Sequence, residues 1–437
     1  MIVTMKTILI LTVGGSHEPI LRAIADVQPD HICFVCSDDD PASGQKGSYI
    51  QISGKGNVIK ARFSDTKPTL PNIPTQVGLE EPRFEIIKVS PDDFDDVYHK
   101  VLDWLCRQDR DENRVLADYT GGTKTMSAAL AVAALDSDGV ELQLVSGSRS
   151  NLVKVESGSE QVIGASVESS RFHRKLHQAV ETWHRYAYDE TVALLEKMRP
   201  PHDRKLLGDY QCARDLSQAL AAWDRFDHAE AEVILSRYKS RIGKVMGLHL
   251  TALKILNEKE SKRRDPLQLY DLWLNAQRRA IQGRYDDAVA RVYRLLEWTA
   301  QWQLRIHAGI DTSNIPAEKI PDKVNLSQNR EGKYQAGLYQ AWQLLQVIFP
   351  DNPAARFFKE NDEKMLDHLL IRNQSILAHG YAPVTSTQWK QMQGWMEAEF
   401  LPMLKVLAKQ DADIRFDIAS LQLPEDFLKV SGSKGYA

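Results

Sequence analysis

An arginine and a histidine together can grip a phosphate and move a proton without a metal ion, and this chain offers such a pair in Arg372-Asn373-Gln374-Ser375-Ile376-Leu377-Ala378-His379. Drawn as one helix, the step from Arg372 to His379 turns about 700° and climbs roughly 10.5 Å, which places both on nearly the same face. That face carries a permanent cation and a titratable base, the groups needed for proton transfer and for stabilising a charged phosphate transition state. The rise is too long for direct hydrogen bonding within one helix. A compact site would need a second copy of the motif, which predicts a homodimer. A solvated arginine followed by a histidine at a helix terminus would show the same spacing.

Two other stretches have the chemistry of anion cradles. Gly14-Gly15-Ser16-His17-Glu18-Pro19 follows an apolar run, and its paired glycines allow close backbone approach, with Ser16 placed to cap the next helix. Asp118-Tyr119-Thr120-Gly121-Gly122-Thr123-Lys124-Thr125 puts amides, hydroxyls and a lysine at a helix start. The second stretch lacks the leading glycine of a P-loop, and its lysine follows Thr123 rather than glycine. The first lacks the third glycine of a dinucleotide fingerprint. Tight strand-to-helix turns would look the same singly; the two together favour ligand binding. Further loops offer Ser37-Asp38-Asp39-Asp40 and Ser146-Gly147-Ser148-Arg149, where Arg149 is a second candidate phosphate partner and ranks below Lys124.

The elements that must position these groups fall into two kinds. Strands at Thr7–Val13, His31–Cys36, Phe84–Val89, Arg114–Tyr119 and Glu141–Val145 alternate with helices at Glu18–Val27, Asp93–Arg107 and Thr125–Leu135, which predicts a parallel Rossmann-like sheet. Such sheets bind ligands at the carboxyl ends of their strands, where both cradles lie. Around Gly158–Ser170 the chain turns small and polar, strand signals largely stop, and everything from Arg171 onward reads as helical. The expected division is residues 1–165, a sheet domain; 166–265, a helical linker domain; and 266–437, a helical domain holding the Arg–His motif. Within the helical part, Trp223-Asp224-Arg225-Phe226-Asp227-His228 and Gly283-Arg284-Tyr285-Asp286-Asp287 read as helix-hairpin corners, and Leu267–His307 as a hairpin turning at Gly283. The tryptophans and tyrosines there read as helix packing.

Composition narrows the function classes. The 437 residues, 43% hydrophobic and 26% charged, suffice for two or three domains, and a net charge of −4 argues against nonspecific coating of nucleic acid. The opening apolar run is too short to span a bilayer, so the expectation is a cytoplasmic protein with no membrane partner. Cys33 and Cys36 sit in a strand whose three-residue step sends them to opposite faces, so neither a disulfide framework nor a metal site is expected.

The amino-terminal half, through Thr12-Val13-Gly14-Gly15-Ser16 and Asp118-Tyr119-Thr120-Gly121-Gly122-Thr123-Lys124-Thr125-Met126, resembles the CRISPR-associated Rossmann-fold (CARF) sensor domain. The carboxyl half, through Arg372-Asn373 and His379, resembles a HEPN ribonuclease domain, and Asn275–Arg279 with Gly283–Ala288 is similar to one CARF–HEPN subfamily of type III CRISPR systems. The resemblance implies a homodimer whose CARF domains bind a cyclic oligoadenylate activator. It also implies a composite HEPN site that cuts single-stranded RNA. The activator would meet Gly14, Gly15, Ser16, His17, Thr120, Gly121, Gly122, Thr123 and Lys124, with Arg149 in reserve. In the nuclease, His379 would be general acid or base, Arg372 the phosphate clamp and Asn373 an orienting residue. RNA carries its own 2′-hydroxyl nucleophile, so no catalytic metal or cofactor is expected and the products are a 2′,3′-cyclic phosphate and a 5′-hydroxyl. The competing reading is a non-catalytic nucleotide sensor fused to a helical scaffold that binds protein or DNA.

Overall fold

In a computed structural model, residues 5–41, 44–62, 64–146, 149–150, 154–155, 161–165, 167–378 and 380–432 are described. The chain forms two compact units, Met1–Phe172 and His173–Ala437. The second takes in residues 173–265 of the expected linker segment together with the expected motif-bearing domain, and residues 166–172 fall in the first.

The first unit is built on a six-stranded sheet: β1 (Lys6–Val13), β2 (His31–Ser37), β3 (Phe84–Val89), β4 (Asn113–Asp118), β5 (Val140–Ser146) and β6 (Gln161–Ala165), in the spatial order β6-β5-β4-β1-β2-β3. The first five run parallel and β6 is antiparallel to β5. Period-two alternation in β1 sends Ile8 and Ile10 to one face and Leu9, Leu11 and Val13 to the other, and both faces are covered. Helices α2 (Phe94–Cys106) and α3 (Lys124–Asp136) bury Val97, Val101, Leu105, Met126, Ala129 and Ala133 on the first face; α1 (Glu18–Val27) buries Ile20, Ala23 and Ile24 on the second. Cys33 packs on one face and Cys36 on the other, both as free thiols, as the alternation requires. Strand β6 is an element the sequence reading missed. Its residues are mostly exposed and include Gly164, so it lacks the apolar run by which the other strands are recognised.

The second unit is helical. Arg264–Ile281 and Tyr285–Ala308 form the expected hairpin, with Gly283 in the left-handed region at φ 75°. At the other corner Phe226 has φ 64° and Asp227 caps the helix His228–Arg237 by accepting from Glu230 N. Aromatic residues supply much of the core. Trp342 stacks on Phe358 at 5.9 Å between ring centres, and Phe357 meets Phe400 edge-on at 5.5 Å, all four buried. Beneath the first corner lies a buried ionic network. Arg278, with no exposed surface, donates to Asp224 Oδ1 at 2.7 Å and Asp271 Oδ1 at 3.2 Å, while Asp271 Oδ2 also pairs with Trp223 Nε1 at 3.0 Å and His228 Nε2 at 2.8 Å. Among the described residues no helix is long and apolar enough to cross a membrane.

Candidate active site and sensor cradle

Strand order places the first cradle. Connections leave β1 toward β2 and β3 on one side and toward β4 and β5 on the other, so the crevice between the carboxyl ends of β1 and β4 is the topological switch point. The Gly14–His17 loop leaves β1 there and the Tyr119–Thr123 loop leaves β4 there.

Backbone meets backbone across this crevice. A β-carbon on Gly14 would lie 2.5 Å from Gly122 N, and one on Gly121 would lie 2.2 Å from Thr12 O. Side chains at either position would force the loops apart. Thr12 Oγ1 and Ser127 Oγ both donate to the Gly121 carbonyl at 2.6 Å. Because carbonyl and N–H of a trans peptide point in opposite directions, the Gly122 N–H is turned the other way. Asp118 forms a buried floor, accepting from Thr120 N at 3.0 Å and Gln143 Nε2 at 3.1 Å. Burial pushes its carboxyl above the usual range, against the lowering effect of those hydrogen bonds.

The expected site residues separate by accessibility. Gly15, Ser16 and Lys124 are exposed, whereas Gly14, Thr120, Gly121, Gly122 and Thr123 are half-buried. His17 is 6% exposed, with Nδ1 3.5 Å from Glu18, and is the least open residue of its loop. Ser16 does not cap α1: the residue at that position is His17, in helical conformation and without a side-chain cap bond, because the helix begins one residue later than the capping serine needs. Thr123 is the N-cap of α3, accepting from Met126 N at 3.2 Å while its hydroxyl donates to Pro91 O at 2.5 Å. The Thr120 hydroxyl accepts from Val145 N at 2.7 Å. Both threonine side chains therefore hold the loop's shape. Lys124 is the first residue of α3, at the helix end where the dipole already favours an anion. Arg149 has its backbone in a two-residue strand paired with Lys154–Val155.

A larger cavity of about 960 Å³ opens beyond β2 and β3, at the Ser37–Asp40 loop. Its lining includes Asp38, Asp39, Asp40, Asp92, Asp93 and Asp95 together with Lys46, and it reaches the Tyr119–Thr123 loop at Thr123. The Asp39 backbone N–H, with Lys88 at 3.1 Å, lowers the pKa of Asp38, and Lys46 at 2.8 Å, with the Gly47 N–H, lowers that of Asp39. That sign of charge disfavours a polyphosphate, which leaves the glycine loops as the better anion site.

In the second unit, the helix carrying the Arg–His motif ends earlier than a continuous helix through His379 requires. It runs Pro353–Gln374, Ser375 turns to an extended conformation and is buried, and Ser375 bridges to Ala382. Gly380 N donates to Ser375 O at 3.1 Å, and a β-carbon on Gly380 would fall 1.7 Å from Gln374 O. The chain thus folds back onto the end of the helix, a turn that only glycine admits. With the helix ending at Gln374, the seven-residue step from Arg372 to His379 no longer fixes a helical separation and implies nothing about a dimer. His379 itself lies outside the described residues.

Arg372 is half-buried and its guanidinium carbon lies 4.5 Å from the centre of the Tyr293 ring, while its Nη1 donates to Asn373 Oδ1 at 3.2 Å. A guanidinium resting on a ring keeps in-plane N–H donors for other partners, so this arginine is held and still able to grip a phosphate. The sequence reading missed two residues here. Tyr293 is 79 positions upstream with no local signal. His368, four before Arg372 on the same helix face, was visible by helical spacing. Its ring packs tilted at 35° against Trp395, 4.6 Å between ring centres, and burial lowers its pKa.

Residues 257–399, which include Arg372, Asn373 and His379, match the family model described as the Csm6 HEPN domain. No curated protein matches the sequence. Among solved structures the chain is similar to Enterococcus italicus Csm6 bound to cyclic hexa-2'-fluoro-hexa-dAMP, at 13% identity and a TM-score of 0.57, over 95% of this chain and 97% of that one. At that identity the likeness is one of fold.

Proposed function

We propose that this chain, whose residues 257–399 match the Csm6 HEPN domain and whose fold is that of a solved Csm6, is a CRISPR-associated CARF–HEPN protein: a cyclic-oligoadenylate-activated, metal-independent endoribonuclease that cuts single-stranded RNA as a homodimer in type III CRISPR defence. The observation that carries the reading is Arg372, gripped by Tyr293 and Asn373 inside the Csm6 HEPN match, with donors left for a phosphate.

The 2′-hydroxyl of the substrate attacks the adjacent phosphorus, forming the 2′-O–P bond as the P–O5′ bond breaks. Arg372 stabilises the charge that develops on the non-bridging oxygens, and Asn373 keeps its guanidinium in register. His379 takes the proton of the 2′-hydroxyl or gives one to the departing 5′-oxygen, and the partner's copy of the motif supplies the opposite role. The products are a 2′,3′-cyclic phosphate and a 5′-hydroxyl.

The activator fits the switch-point cradle, where the Lys124 ammonium, the α3 N-terminus and the exposed Gly15–Ser16 turn face a ring of phosphates. The solved relative was bound to a cyclic hexanucleotide, which supports this ligand class. A fluorescent single-stranded RNA assay with cyclic tetra- or hexa-adenylate, with and without EDTA, tests the whole reading. Activator-stimulated cleavage that survives EDTA is expected. Tight activator binding with no cleavage would make the protein a regulator, and strict metal dependence would overturn the mechanism.

A further inference from the structure

Beside Arg372 lies a cavity of about 520 Å³, within the range of small-ligand sites. Tyr293 and Tyr339 contribute aromatic walls, and Leu366, Leu369, Leu370 and Asn373 contribute one face of the Pro353–Gln374 helix. These helix positions follow the three- and four-residue steps of a single face about 10 Å long, ending at the residue that holds Arg372.

The cavity's chemistry is that of a flat, apolar molecule with a polar edge. Tyr339 is braced edge-on by Phe358 at 5.3 Å, so its ring is fixed in place. Leu366 and Leu370 are 41% and 53% exposed and leave the floor open to water. The Gln340 amide is engaged, accepting from Gly337 N at 3.1 Å and donating to Asn325 O at 3.3 Å. Asn373, exposed at the rim, accepts from Arg372 through Oδ1, which leaves its amide nitrogen to donate to a ligand edge. None of the described lining residues is acidic, and the Tyr293 ring that lines the cavity carries the Arg372 guanidinium.

We propose that this cavity is a nucleobase subsite for single-stranded RNA, seating the base next to the phosphate held by Arg372. It rests on the ribonuclease reading, and adds that one base beside the cut is stacked on Tyr339 and Tyr293 and read at its edge by Asn373. Base recognition there would set where along an RNA the enzyme cuts.

The test uses the full-length protein and a short labelled RNA, 2′-fluoro throughout to block cleavage, scanned with one abasic position at a time. In the parental protein one abasic position should weaken binding about tenfold more than the others. Tyr339→Leu should weaken binding to the intact strand by a similar factor and erase the difference between abasic positions, whereas Tyr339→Phe, which keeps the ring, should preserve both. Thermal melting of both variants separates loss of the subsite from loss of the fold. A parental protein indifferent to every abasic position, or a Tyr339→Leu protein that keeps the parental pattern, would overturn the proposal. So would a changed oligomeric mass in Tyr339→Leu with the pattern intact, since the cavity would then be filled by a second copy of the chain. Failure of the ribonuclease reading shows separately, as absent cleavage of the all-ribose strand while the abasic pattern persists.

Discussion

Gly14 and Gly122 touch backbone to backbone, so closely that a β-carbon on Gly14 would stand 2.5 Å from the Gly122 amide nitrogen. Gly15, the next residue, would place its β-carbon in open space. Gly14→Ala should therefore destabilise the first unit by about 1–3 kcal/mol, and Gly15→Ala should stay within roughly 0.5 kcal/mol of the parent. Urea titration of both variants checks this; equal stabilities would mean that the two loops are not held together as described.

Lys124 is exposed at the start of α3, so its removal leaves the core untouched. Lys124→Ala should keep the parental melting temperature and bind cyclic oligoadenylate about tenfold more weakly, with a shallower dependence on salt. Isothermal titration at two salt concentrations measures both effects. Unchanged affinity would transfer the phosphate contact to Arg149.

The nuclease motif predicts a separation of binding from chemistry. His379→Ala should still bind activator and lose cleavage by about a hundredfold or more, the usual contribution of general acid–base catalysis. Arg372→Lys, which keeps the charge but loses the planar fork resting on Tyr293, should also be strongly impaired. Single-turnover cleavage rates decide the matter, and a His379→Ala protein at the parental rate would refute its role.

Arg278 is wholly buried between Asp224 and Asp271. Arg278→Met removes the guanidinium shared by the two carboxylates, leaving Asp224 to Arg279 and Asp271 to His228 and Trp223, and should destabilise the helical unit by about 2–4 kcal/mol. Denaturant unfolding reads this directly; a loss below about 1 kcal/mol would show that the carboxylates find other partners or protonate at little cost.

Acid sensitivity should come from two histidines. Burial lowers the pKa of His249, whose Nε2 lies 2.9 Å from Gln422 O, and of His368 on Trp395. The folded state thus holds both neutral below the pH at which the unfolded chain protonates, near 6.5. Their stabilising effect is fully present above about pH 6.5 and declines as pH falls toward the lowered folded values. His249→Gln should flatten the fall in stability between pH 7.5 and pH 5.5, measured by urea unfolding at each pH. An unchanged slope would assign the acid sensitivity elsewhere.

What the sequence determined by itself was local. Runs such as Ile8–Val13 and Ile32–Cys36 must form strands because apolar side chains on both faces need cover on both faces, and Glu18–Val27 was legible as a helix between two strands, which the structure ends with a left-handed Gln28. The hairpin turn at Gly283 was equally legible, since a positive φ at a helix end selects glycine. Tertiary structure alone decided the rest. Strand β6 forms because β5 offers it an unpaired edge, not because its own residues are apolar. The motif helix stops at Gln374 because Ser375 pairs with Ala382 and Gly380 folds back on the helix end, contacts between residues that helical spacing treats as successive turns. The group that holds Arg372 is Tyr293, on another helix, and no local pattern can report a contact made only when two helices pack.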